Sequence, residues 1–265
     1  MPAVPALSRR AWTLVICATT VVALLVAAAF APLPFAIAYP GSTVNVLGSD
    51  KGKPVISISG AETRKSSGQL RMTTIVATGP GTSVRLDDLV DSWFDTDRAV
   101  MPHDSVYPVG DTTEEIERHN AKEMKKSQDT AVRAALRYLH RSDEDIDVTL
   151  RLADVGGPSA GLLFTLGIIE KLDGDGRGGD LTGGRTIAGT GTIEADGTVG
   201  AVGGVPLKTQ AAKRDGATVF LVPKEECSDA EAELPEGLRL IPVTELKDAV
   251  SSLRALSSGQ KVPSC

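Results

Sequence analysis

The stretch that decides the fold is "IDVTLRLADVGGPSAGLLFTLGIIEKL", residues 146–172. It opens as a strand that alternates apolar and polar residues. Its end, residues 162–172, is apolar nearly all round, which marks a buried helix. Between them Gly156 and Gly157 allow a tight turn, and Pro158 fits the first position of a helix. The spacing predicts a helix from Pro158 to about Leu172. A capping hydroxyl belongs just before such a proline. Ser159 comes just after it, so capping does not explain the serine. Backbone N–H groups converge at the head of a helix, and the helix dipole favours negative charge there. Ser159 could attack a carbonyl whose oxyanion is held by the backbone of Gly157, Ser159 and Ala160.

A serine nucleophile needs a base. His103, His119 and His140 are scattered, and no Cys/His spacing suggests a metal site. The best base is Lys208 in "VGGVPLKTQAAKR", among Val205, Leu207, Ala211 and Ala212. Apolar surroundings disfavour the charged amine and lower its pKa, and a neutral amine can take a hydroxyl proton. Lys213 and Arg214 stand in a polar run and read as solvated.

The elements around this pair alternate. "RTIAGTGTIEADGTVGAVGG" reads as two short strands joined at an Asp-Gly turn. A helix "VPLKTQAAKRDG", a strand "TVFLVP", a helix around "KEECSDAEAE", a strand "LRLIPV" and a helix "TELKDAVSSLRAL" follow. Such alternation argues an α/β domain of two or three layers. Residues 173–184, "DGDGRGGDLTGG", lack the closing glutamate of a calcium loop and read as a solvated loop. Upstream, Asp111 or Thr112 opens a long polar helix to about Leu139, with Glu114 or Glu115 completing a capping box. "STVNVLG", "PVISISG" and "LRMTTIVAT" read as strands of a small antiparallel sheet, and "FAIAYPGS" before them as a linker. "SVRLDDLVDSWF" reads as a short amphipathic helix.

At the N-terminus, Arg9 and Arg10 precede an apolar run at residues 11–30, and no further charge appears until Asp50. That run can span a bilayer, with the arginines on the cytoplasmic side. A cleaved signal peptide is the rival reading, with "AFA" or "AIA" as its cleavage site. Both readings export the domain. Cys227 and Cys265 then form an even pair able to bridge in an oxidising compartment. The net charge of −6, with no basic cluster, gives no hint of a nucleic-acid partner.

"GGPSAGLLFTLGIIEKL", followed by "LTGGRTIAGTGTIEADGTVGAVGGVPLKTQAAKRDGATVFLVP", resembles the proteolytic domain of the Lon family. The resemblance covers about residues 146–256. It implies an α/β (α+β) fold of the ribosomal protein S5 domain 2-like kind, with Ser159 as nucleophile and Lys208 as general base. It implies that Thr190, in "GTGTI", helps position the lysine. It implies no cofactor, a polypeptide substrate, and a ring hexamer as the common assembly. "VYPVGDTTEEIERHNAKEMKKSQDTAVRAALRYL" resembles membrane-anchored bacterial Lon-like proteases that lack an ATPase.

Two departures stand out. Where Lon often carries an aspartate two residues before the proline, this chain has Gly156, and Asp154 lies further upstream. Only "HRSDEDIDVTLRLA" separates Leu139 from Asp154, too little for the PDZ insert common in the anchored relatives. The 265 residues also hold no G-x-x-x-x-G-K-[ST] phosphate loop.

By this reading residues 1–38 are a cytoplasmic stub and transmembrane anchor, or a signal peptide. Residues 39–110 are a small β-rich region, 111–258 the proteolytic domain with its leading helix, and 259–265 a tail. The expected function is ATP-independent, extracytoplasmic endopeptidase action through a Ser-Lys dyad. The competing readings are an inactive anchored scaffold and a small-molecule kinase of related fold.

Overall fold

The computed structural model describes residues 8–109, 112–142, 144–152 and 156–265. Asp111 and Asp154 lie outside the described residues. The strands are β1 (Phe35–Asn45), β2 (Ser49–Asp50), β3 (Lys53–Pro54), β4 (Ile56–Ser59), β5 (Gln69–Ala77) and β6 (Ala99–Pro102). They continue as β7 (Asp147–Leu150), β8 (Thr186–Gly189), β9 (Thr192–Ile193), β10 (Val199–Gly200), β11 (Val219–Pro223) and β12 (Arg239–Val243). The helices are α1 (Arg9–Phe30), α2 (Leu86–Trp93), α3 (His103–Val106) and α4 (Thr113–Tyr138), then α5 (Gly161–Leu172), α6 (Val205–Arg214), α7 (Cys227–Ala232) and α8 (Leu246–Ser257).

The fold is mixed α/β, built on a six-stranded sheet in the order β12-β11-β8-β5-β1-β6. Strands β12, β11, β8 and β5 run parallel. Strand β1 is antiparallel to both β5 and β6. "VFLVP" explains why β11 lies inside: all five of its residues are buried. Val219 and Leu221 face a core shared with α4, α5 and α8. Phe220 and Val222 face a second core shared with α6 and Ala230 of α7. Apolar residues on both faces are the mark of a parallel strand covered by helices on each side. The sheet is therefore the middle of three layers.

Two local expectations are corrected. "FAIAYPGS" is not a linker. It forms most of β1, with Ala36, Ile37 and Ala38 buried. The ladder to β5 shifts register between Pro40 and Thr43, and this irregularity accommodates a proline inside a strand. Nor do the early strands form a sheet of their own. β5 pairs with β8 across more than a hundred residues, Leu70 opposite Ile187. β4 pairs with β7, Ile56 opposite Leu150. The alternation in these segments is correct, but pairing partners that far away leave no local trace.

In α4, Thr112 is the cap: its Oγ1 accepts the Glu115 N–H at 3.3 Å. Small residues on one face, Ala131, Ala134 and Ala135, are buried where α4 packs on α5. Every residue of α5 except Lys171 is buried, including Glu170. The Glu170 carboxylate accepts the Leu181 N–H at 2.6 Å and the hydroxyls of Ser66 and Thr182. Burial pushes its pKa up, and the first two of those bonds partly offset the shift. The glycine-rich stretch 173–184 is held on the core by this acid, by Arg64 donating to the Gly178 and Gly179 carbonyls, and by Ser67 donating to Asp180. Within it, Asp175 accepts the N–H groups of Arg177 and Gly179 at 2.7 and 2.8 Å, as a loop that folds on itself does. At the other end of the domain a disulfide joins Cys227 at the start of α7 to Cys265, with 5.5 Å between their Cα atoms.

Glu170→Ala would leave the Leu181 N–H and two hydroxyls without their acceptor inside the core. The expected loss is about 2–4 kcal/mol of unfolding free energy, read from urea denaturation.

Candidate active site

The turn before α5 differs from its expected form. The helix starts at Gly161, not Pro158, with Ala160 as its cap residue. The cause is the end of β8. The Ser159 carbonyl accepts the Gly191 N–H at 2.9 Å, and the Gly191 carbonyl accepts the Leu162 N–H at 3.1 Å. These bonds divert the backbone around Ser159 out of the helix. Ser159 therefore sits half-buried in a turn ahead of the helix.

Gly157 has φ +87°, a left-handed backbone that favours glycine. Its N–H donates to the Asn120 carbonyl at 3.3 Å, so it is not free for an oxyanion as expected. Among the described residues, the N–H groups of Ser159 and Ala160 meet no acceptor. The available donors are thus Ser159 and Ala160.

Lys208 comes from α6, on the other face of the sheet. Gly204, with φ +70°, turns the chain into that helix. Lys208 is 3% exposed, between buried Leu207 and Thr209. Its Nζ donates to Thr190 Oγ1 at 3.2 Å. Thr190 is fully buried one residue beyond β8, and its hydroxyl donates to the Ser159 carbonyl at 3.3 Å. The segments carrying Ser159, Thr190 and Lys208 meet beyond the carboxyl end of a parallel strand. Ligands of open α/β sheets bind in that place.

A cleft of about 500 Å³ opens there, lined by Pro158, Ser159 and Lys208 on one side. Ile75, Met101 and Val106 supply much of its apolar wall. Burial pulls the Lys208 pKa down to about 8, and the nearby Glu226 charge opposes the shift. Burial in turn pushes the Glu226 carboxyl up, against a hydrogen bond to the Val202 backbone and the Lys208 charge. Among the described residues, Glu226 Oε2 has no hydrogen-bond partner.

Sequence reasoning missed Asn120, Ser127 and Glu226. The Ser127 hydroxyl donates to the Pro158 carbonyl at 3.0 Å. Asn120 fills the space beside Gly156, where an added Cβ would lie 2.5 Å from Asn120 Cβ. Their spacing is a usable signal. Positions 120, 124, 127 and 131 share one helix face, and two small polar residues interrupt it. Glu226 has no such signal, because it stands in an acidic run that reads as solvent-facing.

Residues 112–255 match the Lon protease (S16) C-terminal proteolytic domain family, more than half of the chain. The chain belongs to that family. The domain is that of a serine peptidase. Similar relatives include Lon protease of Chloroflexus aggregans, 37% identical over 97 residues, which are 35% of this chain and 11% of the relative. Lon protease 2 of Bacillus subtilis is 28% identical over 151 residues, 55% of this chain and 25% of the relative. Lon protease of Clostridioides difficile is 38% identical over 107 residues, 39% of this chain and 13% of the relative. The chain thus spans a quarter or less of the length of these relatives.

The depressed Lys208 pKa has a stability consequence. Between about 8 and the ordinary lysine value, the unfolded chain binds more protons than the folded one, so stability rises with pH across that window. Below it, the folded chain carries a charge it would rather release. Lys208→Met is expected to stabilise the protein by about 1–3 kcal/mol at pH 7. The gain should shrink as pH rises towards 10, measured by urea unfolding at both pH values.

Proposed function

We propose that this chain is a membrane-anchored endopeptidase that cleaves extracytoplasmic polypeptides without ATP, through a dyad of Ser159 and Lys208. The observation that carries this reading is the buried Lys208–Thr190–Ser159 link beside an open cleft. An amine with a pKa of about 8 is neutral in a useful fraction of molecules near neutral pH. Neutral Lys208 takes the proton of the Ser159 hydroxyl as Oγ bonds to the scissile carbonyl carbon. The carbonyl oxygen becomes an oxyanion facing the N–H groups of Ser159 and Ala160. When the intermediate collapses, the C–N bond breaks, and the leaving amine takes the proton from Lys208. Lys208 then draws a proton from water, which hydrolyses the Ser159 ester and restores the hydroxyl. Thr190 holds Nζ in place through each step. The apolar wall of Ile75, Met101 and Val106 favours an apolar side chain next to the cleaved bond.

ATP independence is proposed from the resemblance of residues 106–139 to Lon-like proteases that lack an ATPase. Export is proposed from α1 and the disulfide. Helix α1 has 22 residues, is apolar and has no buried residue. At 1.5 Å per residue it spans about 33 Å, the thickness of a bilayer core. Disulfides persist in oxidising compartments outside the cytoplasm.

The test is cleavage of casein and a fluorogenic peptide by the full chain in nanodiscs, without nucleotide. Ser159→Ala and Lys208→Ala should each lower kcat/KM by about 10³-fold or more while leaving the fold intact. Wild-type kcat/KM should rise with pH and level off above an apparent pKa of about 8, since the base works unprotonated. A serine-reactive phosphonate should label Ser159 in the wild type and not in Lys208→Ala. Cleavage at the wild-type rate by either variant would overturn the dyad.

A further inference from the structure

Helix α2 turns its apolar side outward. Leu86, Val90, Trp93 and Phe94 are 44%, 48%, 78% and 85% exposed. Their spacing of i, i+4, i+7 and i+8 puts them on one face. The opposite side is spent on the protein: Ser92 is buried with its hydroxyl on the Asp88 carbonyl, and α2 packs on β6. Two aromatic rings at the end of an outward apolar face need an occupant.

The location of α2 names that occupant. It packs beside α1. Just before it, Val84 accepts the Leu33 N–H at 2.9 Å, and Leu33 lies only three residues past the end of α1 at Phe30. Where a 22-residue apolar helix leaves the bilayer, α2 lies at the level of the headgroups. Aromatic side chains favour that level.

We infer that α2 is a second membrane contact, with its Leu86–Val90–Trp93–Phe94 face seated in the outer interface of the bilayer that α1 crosses. This rests on the reading of α1 as a retained span. Surface-seeking helices usually carry lysines and arginines on their polar side. Helix α2 instead carries Asp87, Asp88 and Asp91. Asp88 is used inside the helix, accepting the Arg85 N–H at 2.9 Å. The contact therefore draws on apolar insertion and on the high effective concentration that α1 imposes, and needs no anionic lipid. Eight residues would not hold to a membrane alone; tethered beside a span, they need only settle.

The contact also sets the height of the cleft. Met101 on its wall pairs with Ala36 in the β1–β6 ladder. Ala36 is six residues beyond Phe30, no more than about 20 Å of extended chain. With α1 and α2 both seated, the cleft is held within that distance of the membrane surface. Its substrates are then polypeptide segments that lie close to the bilayer.

The chain has two tryptophans, Trp12 in α1 and Trp93 in α2, so the two contacts can be read apart. The full chain is reconstituted in phosphatidylcholine vesicles as Trp12→Phe and, separately, as Trp93→Phe. The acyl chains are either plain or brominated near the headgroup end. In Trp12→Phe, bromination should quench the Trp93 emission by roughly half or more. Adding Leu86→Asp and Val90→Asp should relieve that quenching at least roughly twofold. If Trp12 is quenched but Trp93 emits like an indole in water, the anchor holds and the second contact is overturned. Blue-shifted but unquenched Trp93 emission would put another protein surface, such as a second copy of this chain, on the face and also overturn it. Failure to quench Trp12 would remove the anchor and the contact together.

Discussion

The geometry of the candidate site hangs on the two residues that follow β8. Thr190 and Gly191 continue a buried parallel strand, and their groups bond in three directions. The Thr190 N–H donates to the Leu221 carbonyl at 3.1 Å and keeps the segment on the sheet. Gly191 bonds both to Ser159 and to Leu162, which fixes the serine turn and the start of α5. The Thr190 hydroxyl accepts from Lys208 and donates to Ser159, which ties α6 to the same point. Two helices on opposite faces of the sheet are thereby aligned through one strand end. Helix α5 is buried except at Lys171 and has no solvent face to place it, so the strand end must do it.

The second constraint is the cost of the cation. A lysine buried to 3% exposure loses hydration that one neutral hydroxyl cannot replace. The fold leaves that cost partly uncorrected. Glu226 is close enough to favour the charged amine, yet the two form no ion pair within bonding distance among the described residues. A tight pair would hold Lys208 charged well above neutral pH, and such an amine cannot take a proton. A site with no carboxylate at all would depress the amine further and weaken it as a base. The intermediate arrangement leaves Lys208 near the pH at which it would work. Glu226 immediately precedes Cys227, whose disulfide to Cys265 fastens that corner of the domain.

Much of this was legible in the sequence, for identifiable reasons. The buried helix α5 announces itself through a nearly unbroken apolar run, and α4 through a capping pattern that starts at Asp111 or Thr112. The membership of Ser159, Thr190 and Lys208 in one neighbourhood came from a resemblance rather than from spacing, since 31 and 18 residues separate the hydrogen-bonded pairs. The failures are instructive. "FAIAYPGS" looks like a linker because it contains Pro40 and Gly41, but a register shift absorbs both within β1. The helix start was misplaced because Pro158 satisfies the local rule for a first helical residue, while a tertiary bond from Gly191 overrides it. Pairings such as β5 with β8 were invisible, because strand alternation says which face is buried and never which strand is next.

Gly156 shows how a departure from a family pattern can be absorbed physically. A side chain there would collide with Asn120, whose Cβ lies where the new atom would have to go. Asn120 uses that closeness: its carbonyl accepts the Gly157 N–H and braces the turn from the α4 side. Ser127, two turns further along α4, braces the same turn through the Pro158 carbonyl. An acid at position 156 would have brought a charge to the serine turn; this chain brings backbone and hydroxyl contacts instead. The bracing uses the Gly157 N–H. In the proposed mechanism, stabilisation of a developing negative charge then falls on Ser159 and Ala160, at the head of a 12-residue helix whose aligned peptides point their positive end at the same spot. Donors and a dipole already fixed by the fold are the form of stabilisation that costs least reorganisation when charge appears.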